Sequence, residues 1–366
     1  MRLLVIALLV GLPGCADLSY YMHSVRGHLD VINRSQPIDE LLQAQSTEAD
    51  LRRQLELVGQ IRQFAFEQLH LPESDSYTEY ADLQRDYVLK SLFASEEFSI
   101  AAHQWCYPIV GCAGYRGYFD EQRLQRYIDE LKSRRFDVFV ARVPAYSTLG
   151  WFDDPVLNTF IHWPDYRLAG LIFHELSHQR LYIDGDTTFN ESFAMAVQHA
   201  GVEKWLQQQG RTQDLAAYQR HLAGRDRVMD FIAERRSMLS QLYRQSMPPE
   251  QKRVAKEAFL QAMQDDYQTL SNEFEGRDGF AKWFAGGLNN AKLVSVSTYH
   301  ARTPAFRRLL EHHDGDFDTF FRHVERIGDL PTQQRQRCLD QWQHSDAGLL
   351  PARADDLAAC QAESED

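Results

Sequence analysis

The chain has 366 residues, 44% of them hydrophobic and 12% aromatic, enough apolar material for a packed core and far from a disordered composition. Lys and Arg number 39 against 52 Asp and Glu, a formal net charge of -13, which argues against nucleic acid as a partner because phosphate binding needs a basic surface. The length suits one large domain with a helical extension, and no hydrophobic run after the first fifteen residues is long enough to span a membrane.

The chain opens with MRLLVIALLVGLPGCADLSYY. Arg2 gives a positive start, and Leu3 to Leu12 is an apolar run too short to cross a bilayer, so it reads as a signal segment. Leu12-Pro13-Gly14-Cys15 then resembles the lipobox of bacterial lipoproteins. The resemblance implies a signal peptide over residues 1–14, cleavage before Cys15 and a lipid on its sulfur. Ala16, where an Asp would signal inner-membrane retention, favours the outer membrane, with the protein facing the periplasm. Four further cysteines remain, an even number that suits disulfides in an exported chain. Proximity pairs Cys106 with Cys112, across a turn allowed by Pro108 and Gly111, and Cys338 with Cys360 in the tail. Four cysteines allow three connectivities, and the C-x-x-C spacing of a zinc site is absent.

Residues 36–70 show helical periodicity through Leu41, Leu42, Leu51, Leu55, Val58 and Ile61, ended by Pro72. Residues 77–100 read as an extended or short mixed segment. Residues 120–135 form an amphipathic helix with acids early and bases late, as the helix dipole prefers. Asp137 to Val143 alternates as a strand does, and Ala145 to Gly150 extends toward a second. Residues 191–209, 213–246 and 249–273 are helical, the last two divided by Pro248-Pro249 and able to form a hairpin over about 213–273. A short alternation and a loop follow in 286–306, then a helix at 316–326. The tail after about 345 is acidic and Ala-rich, pinned by its disulfide. The expected fold is α+β and mainly helical. Residues 15–366 make a single domain, with a site-bearing core at about 137–210, the helical hairpin, and a C-terminal helical region.

The chemistry concentrates in GLIFHELSHQRLYIDGDTTFNESFAM, residues 170–195. His174 and His178 are four apart on a helix, so they share a face and can meet one ion. Glu175 falls beside that ion, where a general base belongs. Chance supplies roughly 0.04 such H-E-x-x-H matches in a chain of this composition. Asp184-Gly185 is a strong turn pair, and Glu191, thirteen residues beyond His178, returns on the next helix as a third ligand. Two imidazoles and a carboxylate leave a fourth position open on one zinc ion, the mark of a catalytic site. Asp184, Asp186 and Asn190 are near enough to serve as partners of the ligating rings, with no ground for choosing among them.

HELSH followed by NESFA resembles the gluzincin metallopeptidases, whose pattern is H-E-x-x-H and then N-E-x-x-[AS], here at a shorter spacing. With LSYYMHSVRGHLDVINRSQPIDELL, YSTLGWFDDPVLNTF and LNNAKLVSVSTYHARTPAF, the similarity extends over most of the mature chain to a bacterial family of zinc aminopeptidase lipoproteins. The resemblance implies peptide-bond hydrolysis by metal-activated water, with His174, His178 and Glu191 on zinc and Glu175 moving the proton. An oxyanion donor is expected at Tyr299 or His300, with Tyr146 third. Leu149 and Gly150 are expected to pair with substrate backbone, and Asp153 or its neighbour Asp154 to meet a free α-ammonium. Asn289 and Asn290 are further substrate-binding candidates. The expected partners are a peptide or protein substrate and, through the lipid, the membrane. Two rival readings are an envelope metalloendopeptidase and an envelope scaffold that holds zinc without turnover.

Overall fold

The computed structural model describes residues 27, 29–107, 111–145, 153–296 and 302–344. Cys15, Tyr146, Leu149, Gly150, Tyr299, His300 and Cys360 lie outside them. The described chain is mainly helical with three small sheets, an α+β architecture. No described helix is long and apolar enough to cross a membrane.

Strand β1 (Ser35–Pro37) leads into α1 (Ile38–Gln43) and α2 (Ala49–Leu69). The periodicity of 36–70 thus belongs to two helices and not one. Thr47 Oγ1 donates to the Leu41 carbonyl at 2.6 Å and Arg52 NH2 to Ala44 at 2.7 Å, satisfying carbonyls that the break between the helices exposes. The segment 77–100 holds β2 (Glu79–Ala81) and β3 (Leu89–Glu96). Next come β4 (Trp105–Tyr107), β5 (Gly111–Ala113), β6 (Arg116–Tyr118), α3 (Glu121–Ser133), β7 (Phe136–Val143) and β8 (Val156–Leu157). The first sheet has order β1-β2-β8 and the second β6-β3-β7. In the second, β3 and β7 are antiparallel in register from Leu89↔Val143 to Glu96↔Phe136. Alternate residues Leu92, Ala94, Val138 and Val140 then face Leu124, Ile128 and Leu131 of α3. The hairpin β4–β5 places Cys106 opposite Cys112, and a disulfide joins them. Cys338 is buried and disulfide-bonded as well.

The second half of the chain is helical: α4 (Asp165–Arg180), α5 (Thr187–Gln208), α6 (Thr212–Arg244), α7 (Pro249–Asn272), α8 (Ala281–Ala285), α9 (Asn290–Ser295), α10 (Thr303–His312), α11 (Phe317–Gly328) and α12 (Thr332–His344). Within the described part of 286–306, Asn290–Ser295 is helical where an alternation is expected, and Thr303 begins a further helix. Asn289 caps α9 by accepting the Lys292 N–H at 2.8 Å, which turns the chain into a helix where the apolar pattern alone suggests extension.

The largest core lies between α2, α4, α5 and the C-terminal helices. Phe193 of α5 meets Phe306, Phe320 and Phe321 there, with ring centroids 5.9–6.0 Å apart. Truncating such a ring typically costs about 3–5 kcal/mol. Gly201 lets α5 approach its neighbours, since a Cβ at that position would stand 2.8 Å from both Leu69 and Phe173. A second core joins the distal half of α6 to α7, α8 and α9.

Candidate metal centre

The site is built on α4 and α5. Pro164 immediately precedes α4, and Asp165, its first residue, places a carboxylate at the positive end of the helix dipole. Leu168, Ala169, Ile172, Phe173 and Leu176 bury the helix and carry His174 and His178 inward with it. Six residues turn the chain into α5. Gly185 takes φ +77°, and Asn190 clamps the turn through both atoms of its side-chain amide: its Oδ1 accepts the Ile183 N–H and its Nδ2 donates to the Ile183 carbonyl, each at 2.8 Å. Asp186 caps α5 by accepting the Phe189 N–H at 3.1 Å. Arg335 of α12 holds the other oxygen of that carboxylate at 2.9 Å. Glu191 therefore enters from a helix whose start is fixed on three sides.

His174 Nε2 lies 3.2 Å from Glu191 Oε2, and His178 Nε2 lies 3.9 Å from Glu191 Oε1. The two rings stand edge to face, centroids 5.0 Å apart, and the three donor atoms lie within 4.8 Å of one another. Tetrahedral ligation at bonds of about 2.0–2.1 Å separates donors by roughly 3.3 Å. The observed separations straddle that value. Among the described residues, the Nδ1 of His178, whose side chain is 3% exposed, and the Nδ1 of His174 have no hydrogen-bond partner, and His178 Nε2 stands 3.9 Å from Glu191 Oε1. A cation at the two Nε2 atoms would give His178 Nε2, too far from Glu191 Oε1 for a hydrogen bond, a partner. The residues fit a divalent ion: His174, His178 and Glu191 can hold a metal.

The electrostatics agree with that use. Burial, then the neighbouring charge of His174, pushes His178 down to about 4, so its imidazole is neutral and ready to ligate. Burial also opposes the charge on His174, but the Glu191 hydrogen bond and the Glu175 and Glu191 carboxylates outweigh it and raise its pKa. Burial likewise opposes the charge on Glu191, and the bond and charge of His174 outweigh it and hold the carboxyl low. These opposite directions favour a charged His174 ring against an ionised Glu191. Glu175 is half-buried on the same helix and its charge reaches the His174 ring.

The structure brings together His174, His178, Glu191 and Glu175. It separates the paired aspartates: Asp153 is exposed, whereas Asp154 is buried, its carbonyl accepting the Tyr77 N–H at 2.7 Å. Asn289 and Asn290 are bound to the second sheet. Asn289 Nδ2 donates to the Val138 carbonyl at 3.0 Å. The amide of Asn290 donates to the Glu96 and Glu97 carbonyls and accepts the Tyr243 hydroxyl. Of the candidate partners for the ligating rings, Asp186 is engaged by Arg335 and Phe189, and Asn190 by Ile183. The chain two residues beyond His300 is anchored at the site, since the Arg302 N–H donates to Ser192 Oγ at 3.1 Å.

Two tyrosines escape a sequence reading. Tyr182, 39% exposed, stands with its ring 6.0 Å from that of His178, and its phenol feels the Glu191 charge. Its spacing, four residues beyond His178, is a signal the sequence does carry. Tyr77, buried in the loop before β2 almost a hundred residues upstream, has its phenol pKa raised by burial first and then by the Glu175 charge, and nothing local announces it.

A family model described as putative aminopeptidase matches residues 19–339. No curated protein and no solved structure matches the chain.

Proposed function

The chain belongs to the putative aminopeptidase family, and from that premise we propose that it is a zinc-dependent aminopeptidase of gluzincin type, anchored in the bacterial envelope by a lipid on Cys15. The convergence of His174, His178 and Glu191 beside Glu175 carries the reading. Two imidazoles and one carboxylate suit zinc among the divalent ions. Such an ion, when bound, supplies Lewis-acid chemistry, activating water and polarising the scissile carbonyl.

The protein's own groups do the rest. Buried, neutral His178 and ionised Glu191 offer lone pairs without first giving up a proton. Glu175 is the carboxylate left outside the ligand set, so it can take a proton from water and return it to the leaving amine. Tyr299 and His300 are the proposed oxyanion donors; the anchoring of Arg302 at Ser192, next to Glu191, supports that placement. Asp153, Leu149 and Gly150 are the proposed contacts to substrate. The lipid anchor, an outer-membrane location and a periplasmic orientation rest on the lipobox resemblance.

The test pairs metal content with hydrolysis in the chain from residue 16 to 366 and its Glu175→Gln variant. Zinc in both, with cleavage of free-amine peptides by the parent alone, is the expected result. Cleavage of N-acetylated peptides would make the protein an endopeptidase, zinc without hydrolysis would point to a scaffold, and a parent without stoichiometric metal would end the site assignment.

A further inference from the structure

A cleft of about 450 Å³ lies between the second sheet and the turn that joins α8 to α9, a volume in the range of small-molecule sites. Residues 138–140 of β7 line it on one side, and Trp283 with residues 286–289 on the other. Most of this lining is apolar, and no carboxylate belongs to it.

Lys292 of α9 lines the same cleft and is 5% exposed. Its Nζ donates to the Gly287 carbonyl at 2.7 Å and stands 5.2 Å from the Trp283 ring centroid and 5.5 Å from that of Phe139. An ammonium has three N–H donors. Among the described residues no carboxylate pairs with it, and burial pushes its pKa down, as it does for a charge held out of water without an opposite one. A chain with 52 Asp and Glu has acids in plenty to place there, and a buried lysine ordinarily has one. Trp283 repeats the pattern: its Nε1 is buried without a hydrogen-bond partner, although a buried indole N–H usually finds one. Gly286 leaves the ammonium uncovered on its side, since a Cβ there would stand 3.2 Å from Nζ. Bracing of the turn by Lys292 explains the bond to Gly287. It explains neither the missing counter-charge nor the unpartnered indole.

We propose that this cleft binds a carboxylate carried on an apolar body, the carboxylate accepting from Lys292 Nζ and Trp283 Nε1 and the body lying against Phe139 and Leu288. With no carboxylate in the cleft to meet an α-ammonium, the fitting sources are an apolar organic acid and the C terminus of a peptide. The inference goes beyond the peptidase reading and does not rest on it.

The test is isothermal titration calorimetry on the chain from residue 16 to 366, zinc-loaded and chelator-treated. The probes are 3-phenylpropionate, its neutral amide and N-acetylglycylphenylalanine. We expect 3-phenylpropionate to bind with a Kd of about a millimolar or lower, the amide about tenfold or more weakly, and zinc to change neither. Lys292→Met should weaken the acid by about tenfold or more and leave the amide within about twofold, and Trp283→Phe should weaken the acid by about threefold or more. Absence of binding, equal affinity for acid and amide, or parental affinity for the acid in a folded Lys292→Met overturns the proposal. Binding that vanishes with the zinc overturns it too, because the carboxylate then sits on the metal. Should Lys292→Met not fold, Trp283→Phe decides, and parental affinity there is the overturning result. With the cleft upheld, the tighter of 3-phenylpropionate and N-acetylglycylphenylalanine tells a free acid from a peptide C terminus.

Discussion

Arg335 and Asp186 are joined across 149 residues of sequence, the guanidinium giving two nitrogens at 2.9 Å to one carboxylate oxygen inside the protein. The other oxygen of Asp186 caps the helix that carries Glu191. The guanidinium also donates to the Gly328 and Leu330 carbonyls and lies over the Phe189 ring. The C-terminal helix thus fixes the start of the ligand helix. Removing one partner of a buried pair strands the other, which costs about 3–5 kcal/mol. We expect Arg335→Ala to lose stability on that scale in urea unfolding and to bind zinc more weakly, because Glu191 stands little more than a turn from the disturbed cap. Parental zinc affinity in a destabilised Arg335→Ala would separate the clamp from the site.

Each ligand contributes one donor of three, with no spare donor in the described cluster. Altering a group that merely supports a ligand costs roughly 10–100-fold in metal affinity. Glu191→Gln and His178→Ala remove ligands outright, so their losses should exceed that range. Glu175→Gln should stay close to the parent. Metal analysis after dialysis against a zinc buffer checks this, and an unaffected Glu191→Gln would remove that carboxylate from the ligand set.

Much of this arrangement is legible in the sequence, and the part that is not has a common cause. The spacing of His174 and His178, the turn at Asp184-Gly185 and the helix starting near Asn190 are local patterns, and local physics forms them. The strand at Asp137–Val143 and the helix division at Pro248-Pro249 are local too. The helical periodicity over 36–70 does not reveal that two helices carry it, because apolar spacing continues across the break where Thr47 and Arg52 bond the exposed carbonyls. The alternation in 286–306 misleads because Asn289 caps a short helix. Arg335 acts across a long stretch of chain, and no periodicity encodes which distant helix cap it will meet.

The opposite shifts of His174 and Glu191 set a pH dependence for metal binding. His174 is raised by the Glu191 bond and the neighbouring carboxylates, so below its pKa the metal must displace one proton from it. His178, lowered to about 4, has none to lose above that pH. Affinity should therefore rise with pH by about tenfold per unit between about 4 and the His174 pKa, and level above it. Below about 4 the slope should steepen toward a hundredfold per unit as His178 also protonates. Competition titrations with a chromophoric chelator measure it, and a hundredfold slope at pH 5–6 would mean that both rings are charged in the metal-free protein.

Asn290 allows a scaffold role and a substrate role to be told apart. Its side chain is fully buried and bonds the Glu96 and Glu97 carbonyls and the Tyr243 hydroxyl, while its N–H donates to Asp137 Oδ2 at 2.8 Å. The same Asp137 oxygen takes Lys256 Nζ of α7 at 2.7 Å. Asn290 therefore sits where α9, α7 and the second sheet meet. Asn290→Ala leaves buried carbonyls and a hydroxyl without partners, each costing about 1–3 kcal/mol. We expect a clear loss in urea unfolding, with KM for peptide unchanged at temperatures where the variant is folded. A raised KM in a variant of parental stability would be the opposite result, placing the amide on the substrate and not on the frame.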